Sequence, residues 1–172
     1  MKNTVRIAVV LVLVAAFAAF AWACGKKPSD PVDPVNKELD VDDVAKQIAE
    51  YCTFEDEYLA LVENRDFSLQ SRNIDATLVE GEEGAKKAAI YASSSTPEMI
   101  VCIKAVDEQA AAKVLESVEA LIDDYAHNYS TYGPEQVEKL ESAVKVVNGQ
   151  YVVVAVTADN TTATSFIYGI VK

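Results

Sequence analysis

The sequence predicts an α+β fold, with helices packed on a four-stranded antiparallel sheet. Two observations predict it. Runs rich in apolar and β-branched residues occur in two pairs within residues 88–158, and a helical pattern follows each pair. Strands joined by short turns pair antiparallel, and the helices that follow them then cover the sheet. Residues 88–170 are thus expected to form strand-strand-helix twice, preceded by an N-terminal helix.

The first pair of strands is predicted at residues 88–93 and 99–105, with a turn at residues 94–98. Asp107 is an N-cap candidate for the longest helix, which should run to about Tyr129. Apolar residues recur there at three- and four-residue steps, which places them on one face: Ala111, Val114, Leu115, Val118, Leu121, Ile122 and Tyr125.

The second pair of strands is predicted at residues 143–147 and 150–158. Asn148-Gly149 separates them, and this pair tolerates the positive φ angles that a two-residue type I′ hairpin turn requires. Asp159 should cap a final helix, whose apolar residues are Ala163, Phe166, Ile167 and Ile170. The sequence therefore predicts a tight hairpin followed by a helix that packs on it.

The remaining elements are shorter. Asp40 is expected to cap the N-terminal helix, at residues 41–52. Between this helix and the first strand the pattern is less regular and predicts helical pieces at residues 57–63 and 67–72. Pro134, in the first turn of a helix where proline is permitted, predicts a short helix between the two halves.

The second strand of the second pair is apolar on both of its alternating faces. Val152, Val153 and Val154 lead directly into Ala155 and Val156. Two explanations follow from this pattern. Either the strand is central and covered on both faces, or its outer face meets a partner, with Val152, Val153 and Val154 as the partner-facing residues.

The N-terminus predicts a lipoprotein signal peptide at residues 1–23. Lys2 and Arg6 precede an apolar run of 17 residues, which is short of the roughly 20 that a membrane-spanning helix needs. Cleavage is expected before Cys24, whose thiol would then be lipidated. Ordinary secretion with a cut at the same bond and an uncleaved anchor are the alternatives.

Residues 24–37 form the predicted lipidated cysteine and a tether rich in Pro and Asp. Proline restricts the chain to extended geometry, so this tether should act as a semi-rigid spacer. Residues 38–172 are then a single domain. We expect it at the extracytoplasmic face of the cell membrane, with the lipid on Cys24 as its membrane contact.

Charge and cysteine content exclude several classes of partner and site. The chain has a net charge of −12, which becomes −14 when the signal removes Lys2 and Arg6, so nucleic acid is not an expected partner. Cys52 and Cys102 are expected to be buried thiols, with a disulfide between them as the alternative. Because the chain has a single histidine, a zinc site is not expected, and since the sequence shows no other metal-ligand spacing and no phosphate-binding glycine loop, no other metal or cofactor is expected either.

From Tyr91 onward the chain resembles a family of Gram-positive bacterial lipoproteins, the domain of unknown function numbered 4358. The resemblance rests on the order and spacing of these residues: Tyr91, Thr96-Pro97-Glu98-Met99-Ile100, Lys104, Asp107, Tyr132-Gly133-Pro134-Glu135, Ala143-Val144 and Gly149-Gln150-Tyr151-Val152. Arg72-Asn73-Ile74 departs from the Tyr-Gly-aliphatic pattern that the resemblance implies. The family has no established activity, so the resemblance implies no catalytic residue.

Two groups of residues are candidates for catalysis. His127 lies one turn after Asp123 on the polar face of the long helix, where a His-carboxylate pair could transfer protons, although a solvated face explains the same spacing. The hydroxyls at residues 93–96 lack the Gly-x-Ser-x-Gly turn that exposes a nucleophile. We therefore assign no catalytic residue and expect no enzyme activity.

Two further groups are candidates for binding. Tyr125, Tyr129 and Tyr132 could stack on a sugar or pack beneath their helix. Thr96, Pro97 and Glu98 suit a tight reversal between strands and are also a candidate surface recognition turn.

Three function classes follow from these observations. The first is a non-enzymatic lipoprotein that binds a protein or a cell-envelope component. The second is a lipoprotein that binds a small molecule or a glycan, and the third is a hydrolase that uses paired carboxylates. A tyrosine-lined pocket would favour the second class, and an uncovered valine-rich sheet face would favour the first.

Overall fold

The structure, a computed structural model, describes residues 38–172. The predicted signal peptide, Cys24 and the tether lie outside the described residues. Within them, five strands form one antiparallel sheet in the order β1-β2-β3-β5-β4. The strands are β1 (Ala60–Leu61), β2 (Ala88–Ala92), β3 (Met99–Lys104), β4 (Val144–Asn148) and β5 (Tyr151–Val156).

Residues 38–172 also form five α-helices: α1 (Val41–Tyr51), α2 (Arg65–Gln70), α3 (Glu108–Tyr132), α4 (Val137–Glu141) and α5 (Asn160–Val171). Single 3₁₀ turns lie at Ala76–Leu78 and Pro134–Gln136. The three predicted N-caps are confirmed, because the side chains of Asp40, Asp107 and Asp159 each accept a hydrogen bond from a backbone N–H of the first turn. The α+β class is therefore confirmed, with its N-terminal helix.

The predicted count of four strands is one too low. β1 lies where a helical piece was expected at residues 57–63, and its two residues pair with Ala92 and Tyr91 of β2. A strand of two residues has no periodicity of its own, and pairing with β2 is what makes it a strand. The second predicted piece, at residues 67–72, is confirmed as a helix that begins two residues earlier, at Arg65.

The hairpin between β4 and β5 is confirmed, but its turn is displaced by one residue. Asn148 pairs with Tyr151, so the two-residue loop is Gly149-Gln150. Gly149 has a φ of 57°, whereas Asn148 and Gln150 are not among the described residues with positive φ. Glycine with positive φ at the first loop position is the type II′ arrangement. Asn148 stays in the strand, and its Nδ2 donates to the carbonyl of Val171 at 2.6 Å.

The sheet is covered on both faces. Val152 and Val154 of β5 belong to the core layer that includes α3 and α4, whereas Val153 belongs to the opposite layer, which includes α1 and α5. All three side chains are buried. β5 lies between β3 and β4, which corresponds to the first of the two explanations for the valine run. The predicted partner-facing role of these valines is therefore corrected: helices already occupy both faces.

Neither cysteine of the described residues forms a disulfide. Cys102 is buried and Cys52 partly buried, so the expected thiols are present and only Cys102 is fully enclosed. Burial raises the pKa of both thiols, and Asp159 raises that of Cys52 further. Both groups are protonated near neutral pH. None of the helices in residues 38–172 has the length and apolar character that a membrane crossing requires.

Candidate functional site

A cavity of about 240 Å³ opens between the C-terminal half of α3 and the turn that joins β2 to β3. We call it the tyrosine cavity, because Tyr125, Tyr129 and Tyr132 line its helical wall together with Asn128. The turn between β2 and β3 forms the opposite wall through Ser93, Ser94, Thr96 and Glu98, and Arg72, just beyond the end of α2, completes the lining. Three segments that are distant in sequence therefore meet here.

The spacing of the tyrosines on α3 explains the helical wall. Residues three, four and seven positions apart share one face of a helix, and Tyr125, Asn128, Tyr129 and Tyr132 have this spacing. The rings of Tyr129 and Tyr132 have centroids 5.5 Å apart and are tilted by 47°. Tyr125 and Tyr129 also contact the core, whereas Tyr132 is 72% exposed at the rim. Both uses proposed for these tyrosines are therefore compatible with their positions.

The end of α3 fits closely around Tyr129. Gly133 is the C-cap, and its N–H donates to the carbonyl of Tyr129 at 2.8 Å. A Cβ on Gly133 would lie 2.9 Å from Cδ1 of Tyr129, which is too close for a carbon contact. Burial raises the pKa of Tyr129, and the neighbouring tyrosines raise it further. The Tyr129 hydroxyl is therefore neutral at physiological pH and can both donate and accept hydrogen bonds.

The backbone around Arg72 is held by a Schellman motif at the end of α2. The N–H of Ile74 donates to the carbonyl of Leu69 at 3.0 Å, and that of Asn73 donates to the carbonyl of Gln70 at 3.1 Å. Asn73 has a φ of 54°, a left-handed conformation that glycine favours and asparagine tolerates. Asn73 thus adopts glycine-like geometry at the position where the family resemblance implied glycine.

Arg72 presents a cation to the cavity without an acidic partner among the described residues. Its Nη1 donates to the carbonyl of Ser68 at 3.0 Å and to Oγ of Ser71 at 3.1 Å. Nε and Nη2 make no hydrogen bond within residues 38–172, and no carboxylate of this range lies within 4.0 Å of the guanidinium. Partial burial lowers the pKa of Arg72, which nevertheless stays protonated.

Glu98 is the central acceptor of the opposite wall. Its buried carboxylate accepts hydrogen bonds from the N–H groups of Glu55, at 2.9 Å, and Asp56, at 3.1 Å. The Thr96 hydroxyl donates to it at 3.2 Å, and Lys139 forms an ion pair with it at 3.2 Å. Glu98 therefore connects three segments of the fold, and its oxygens are already occupied.

The predicted recognition turn at Thr96, Pro97 and Glu98 lies largely inside the fold rather than at the surface. Pro97 and Glu98 are buried, and Thr96 is partly buried. Pro97 does not line the cavity, although both of its neighbours, Thr96 and Glu98, do. The turn therefore serves as a wall of the tyrosine cavity, because the hydrogen bonds of Glu98 draw it inward from the surface.

Asp56 organises the serines of the same turn. Its carboxylate accepts hydrogen bonds from the hydroxyl of Ser93, from that of Ser95 at 2.9 Å and from the N–H of Tyr58 at 2.8 Å. These hydrogen bonds, led by that of Ser93, lower the pKa of Asp56 to about 2, so it is ionised at physiological pH. The Ser93 hydroxyl in turn accepts from the N–H of Thr96 at 2.8 Å.

The catalytic candidates do not come together. His127 and Asp123 are exposed on α3 and do not line the cavity, so no histidine stands beside Ser93. The hydroxyl of Ser93 donates to a carboxylate of low pKa, which is a poor proton acceptor. Within residues 38–172 no group of three or more His, Cys, Asp and Glu side chains is arranged to hold a metal ion.

Sequence reasoning identified the tyrosines but missed Arg72, Asn128 and Asp56. The position of Asn128 could have been predicted, because it lies three residues after Tyr125 and four before Tyr132, on the same face of α3. No sequence pattern indicated Arg72 or Asp56, because tertiary packing alone brings them to the turn between β2 and β3.

The comparisons with known proteins concern the middle of the chain. Residues 82–157 match the model of a family described as a domain of unknown function, DUF4358. The matched range runs from just before β2 to just after β5 and contains the three tyrosines and Glu98, but neither Arg72 nor Asp56. No curated protein and no solved structure matches the chain.

Proposed function

We propose, from the premise that residues 82–157 are a DUF4358 domain, that the protein is a lipid-anchored extracytoplasmic binding module without enzyme activity. The tyrosine cavity is its binding site, and a small molecule or a glycan is its ligand. The observation that carries this proposal is an open cavity where three tyrosines meet an arginine without an acidic partner.

The size and chemistry of the cavity limit the ligand. At about 240 Å³ the cavity lies below the roughly 300–1,000 Å³ of pockets that enclose drug-sized molecules. A single ring, such as one sugar unit of a longer glycan, is the size of group that enters it. Tyrosine rings offer flat apolar surface for the C–H face of a sugar, and Asn128 and Thr96 offer hydrogen bonds to its hydroxyls.

The same observations favour a glycan over a protein as the envelope partner expected from the sequence. The valine face that suggested a protein partner is covered by α1 and α5. An exposed Tyr132 beside a small cavity suits a chain of sugars that places one unit inside and neighbouring units on the rim. Anchoring to the membrane through Cys24 would keep the domain next to such polymers.

Lipidation of Cys24 has a direct test. Replacing Cys24 by alanine should move the protein from the detergent phase to the aqueous phase when cell extracts are separated with a cloud-point detergent, because the acyl chains supply the membrane affinity. Cys52→Ala is the matched control, since Cys52 belongs to the folded domain. A Cys24→Ala protein that has lost residues 1–23, as mass spectrometry would verify, and still partitions as the wild type does would refute lipid anchoring.

Ligand binding is tested with the full chain in a detergent that has no sugar headgroup. Calorimetric titration with a panel of neutral and acidic mono- and oligosaccharides should identify a ligand whose affinity falls about 5-fold in Tyr132→Ala, since an aromatic contact contributes about 1 kcal/mol. Tyr58→Ala is the matched control, because Tyr58 is equally exposed, at 72%, and lies outside the cavity. Binding by no member of the panel, or equal losses in both variants, would contradict the proposal.

A further inference from the structure

We propose that the tyrosine cavity selects ligands that carry a carboxylate, and that Arg72 binds this group. The inference rests on the proposed function and specifies its ligand class: acidic sugars of the uronic acid type. Neutral sugars of the same ring shape should bind more weakly.

The two described arginines differ in a way that points to Arg72. Nη2 of Arg65 donates to both carboxylate oxygens of Asp42, at 2.8 and 2.9 Å, and its Nη1 donates to the carbonyl of Lys86 at 3.0 Å. Arg65 therefore has its anion within the chain. Arg72 has none within residues 38–172, although the sequence contains 27 acidic residues. A partly buried cation that is left without a counter-ion in so acidic a chain is available for an external anion.

The orientation of Arg72 favours a carboxylate. The Schellman motif holds its backbone, and the two hydrogen bonds of Nη1 hold its side chain. Nε and Nη2, which together form one edge of the guanidinium, are left without partners in the described chain. Two parallel N–H groups on one edge match the two oxygens of a carboxylate. Because the side chain is already ordered, binding costs less conformational entropy than it would for a mobile arginine.

The rest of the lining argues for a single negative charge. Arg72 is the only cation among the lining residues of the cavity, and Glu98 is the only acid. Glu98 is already paired with Lys139, so it needs no cation from the ligand. A phosphate dianion would meet one guanidinium within a chain of net charge −12, whereas a carboxylate would be matched one to one. The tyrosines and Asn128 would then contact the ring that carries the carboxylate.

The test compares glucuronate with glucose, which share a ring and differ in a carboxylate against a hydroxymethyl group. Titrated into the full chain in the same detergent, glucuronate should bind at least about 10-fold more tightly than glucose. Arg72→Gln should reduce the affinity for glucuronate to that for glucose and leave glucose unchanged. Arg72→Lys keeps the charge and loses the two-pronged geometry, so it should recover only part of the preference.

Lys113→Gln is the control for net charge. Lys113 is exposed on α3 about three turns before the tyrosines, about 18 Å from Tyr125 along the helix. This variant removes the same charge and should keep the preference for glucuronate. Thermal unfolding of each variant verifies that it is folded, and Arg72→Lys provides a second reading if Arg72→Gln is unstable.

Three results would overturn the inference. They are equal affinities of wild type for the two sugars, a preference that survives in Arg72→Gln, and no binding of glucuronate. If the two sugars bind equally and Tyr132→Ala weakens both, carboxylate selection is wrong while the binding function of the cavity stands. If no sugar of the wider panel binds, the proposed function fails as well.

Discussion

Replacing Val153 by glutamate is expected to lower the free energy of unfolding by more than about 4 kcal/mol. Val153 is 3% exposed, and its neighbours across the sheet are Cys102 of β3 and Val146 of β4. Loss of the buried valine costs about 1.5–3 kcal/mol, and a carboxyl group left without hydrogen bonds in an apolar layer costs at least as much even when protonated. Urea denaturation followed by circular dichroism measures the difference.

Val147→Glu makes the same chemical change on the neighbouring strand. Val147 belongs to β4 at the edge of the sheet and is 38% exposed, so its carboxylate can stay in water. We expect a loss below about 1 kcal/mol. Similar small losses for the two variants would mean that helices do not cover this face of the sheet, and that β5 is available to a partner after all.

The contrast between these two valines shows what the sequence could and could not predict. Four of the five strands and the three aspartate caps were predictable, because each depends on neighbouring residues. The two explanations for the valine run were not separable from sequence, since a covered strand and a partner-facing strand have the same composition. The helices that cover the Val153 face, α1 and α5, come from opposite ends of the domain, so their contact with β5 is not visible in the local sequence.

The residues of the candidate site also fall into those that local sequence predicts and those that only tertiary packing brings together. The tyrosine stripe of α3 was recognisable from its spacing, which is a local property of a helix. Arg72 belonged to the segment with the least regular pattern, where a short helix ends in a left-handed residue, Asn73. Nothing in its neighbours indicates that α2 directs it toward a turn some twenty residues later. Tertiary packing supplies the charge of this cavity, whereas local periodicity supplies its aromatic wall.

Glu98→Gln is expected to destabilise the domain by about 3–5 kcal/mol, because a buried carboxylate that accepts several charge-assisted hydrogen bonds becomes an amide that leaves some of these donors unsatisfied. Glutamine can accept through one oxygen only, whereas Glu98 accepts from two backbone N–H groups, the Thr96 hydroxyl and Lys139. Its amide N–H₂ would also face these donors. Lys139, whose side chain is 13% exposed, would retain Glu55 as its acidic partner.

Glu135→Gln is the matched control. Glu135 is exposed near the same end of the domain and forms no ion pair within the described residues, so neutralising it should change the unfolding free energy by less than about 0.5 kcal/mol. The two free energies come from urea denaturation of each variant. A Glu98→Gln protein as stable as Glu135→Gln would mean that this network does not hold the β2–β3 turn.

The two charged groups of the tyrosine cavity should therefore respond in opposite ways. Glu98→Gln should lose stability, and it should lose ligand affinity only because the β2–β3 turn that forms one wall is released. Arg72→Gln should lose affinity for glucuronate while its unfolding free energy stays near that of the wild type, because no acid within residues 38–172 depends on Arg72. Measuring both quantities on both variants separates the residue that builds the wall from the residue that binds the ligand.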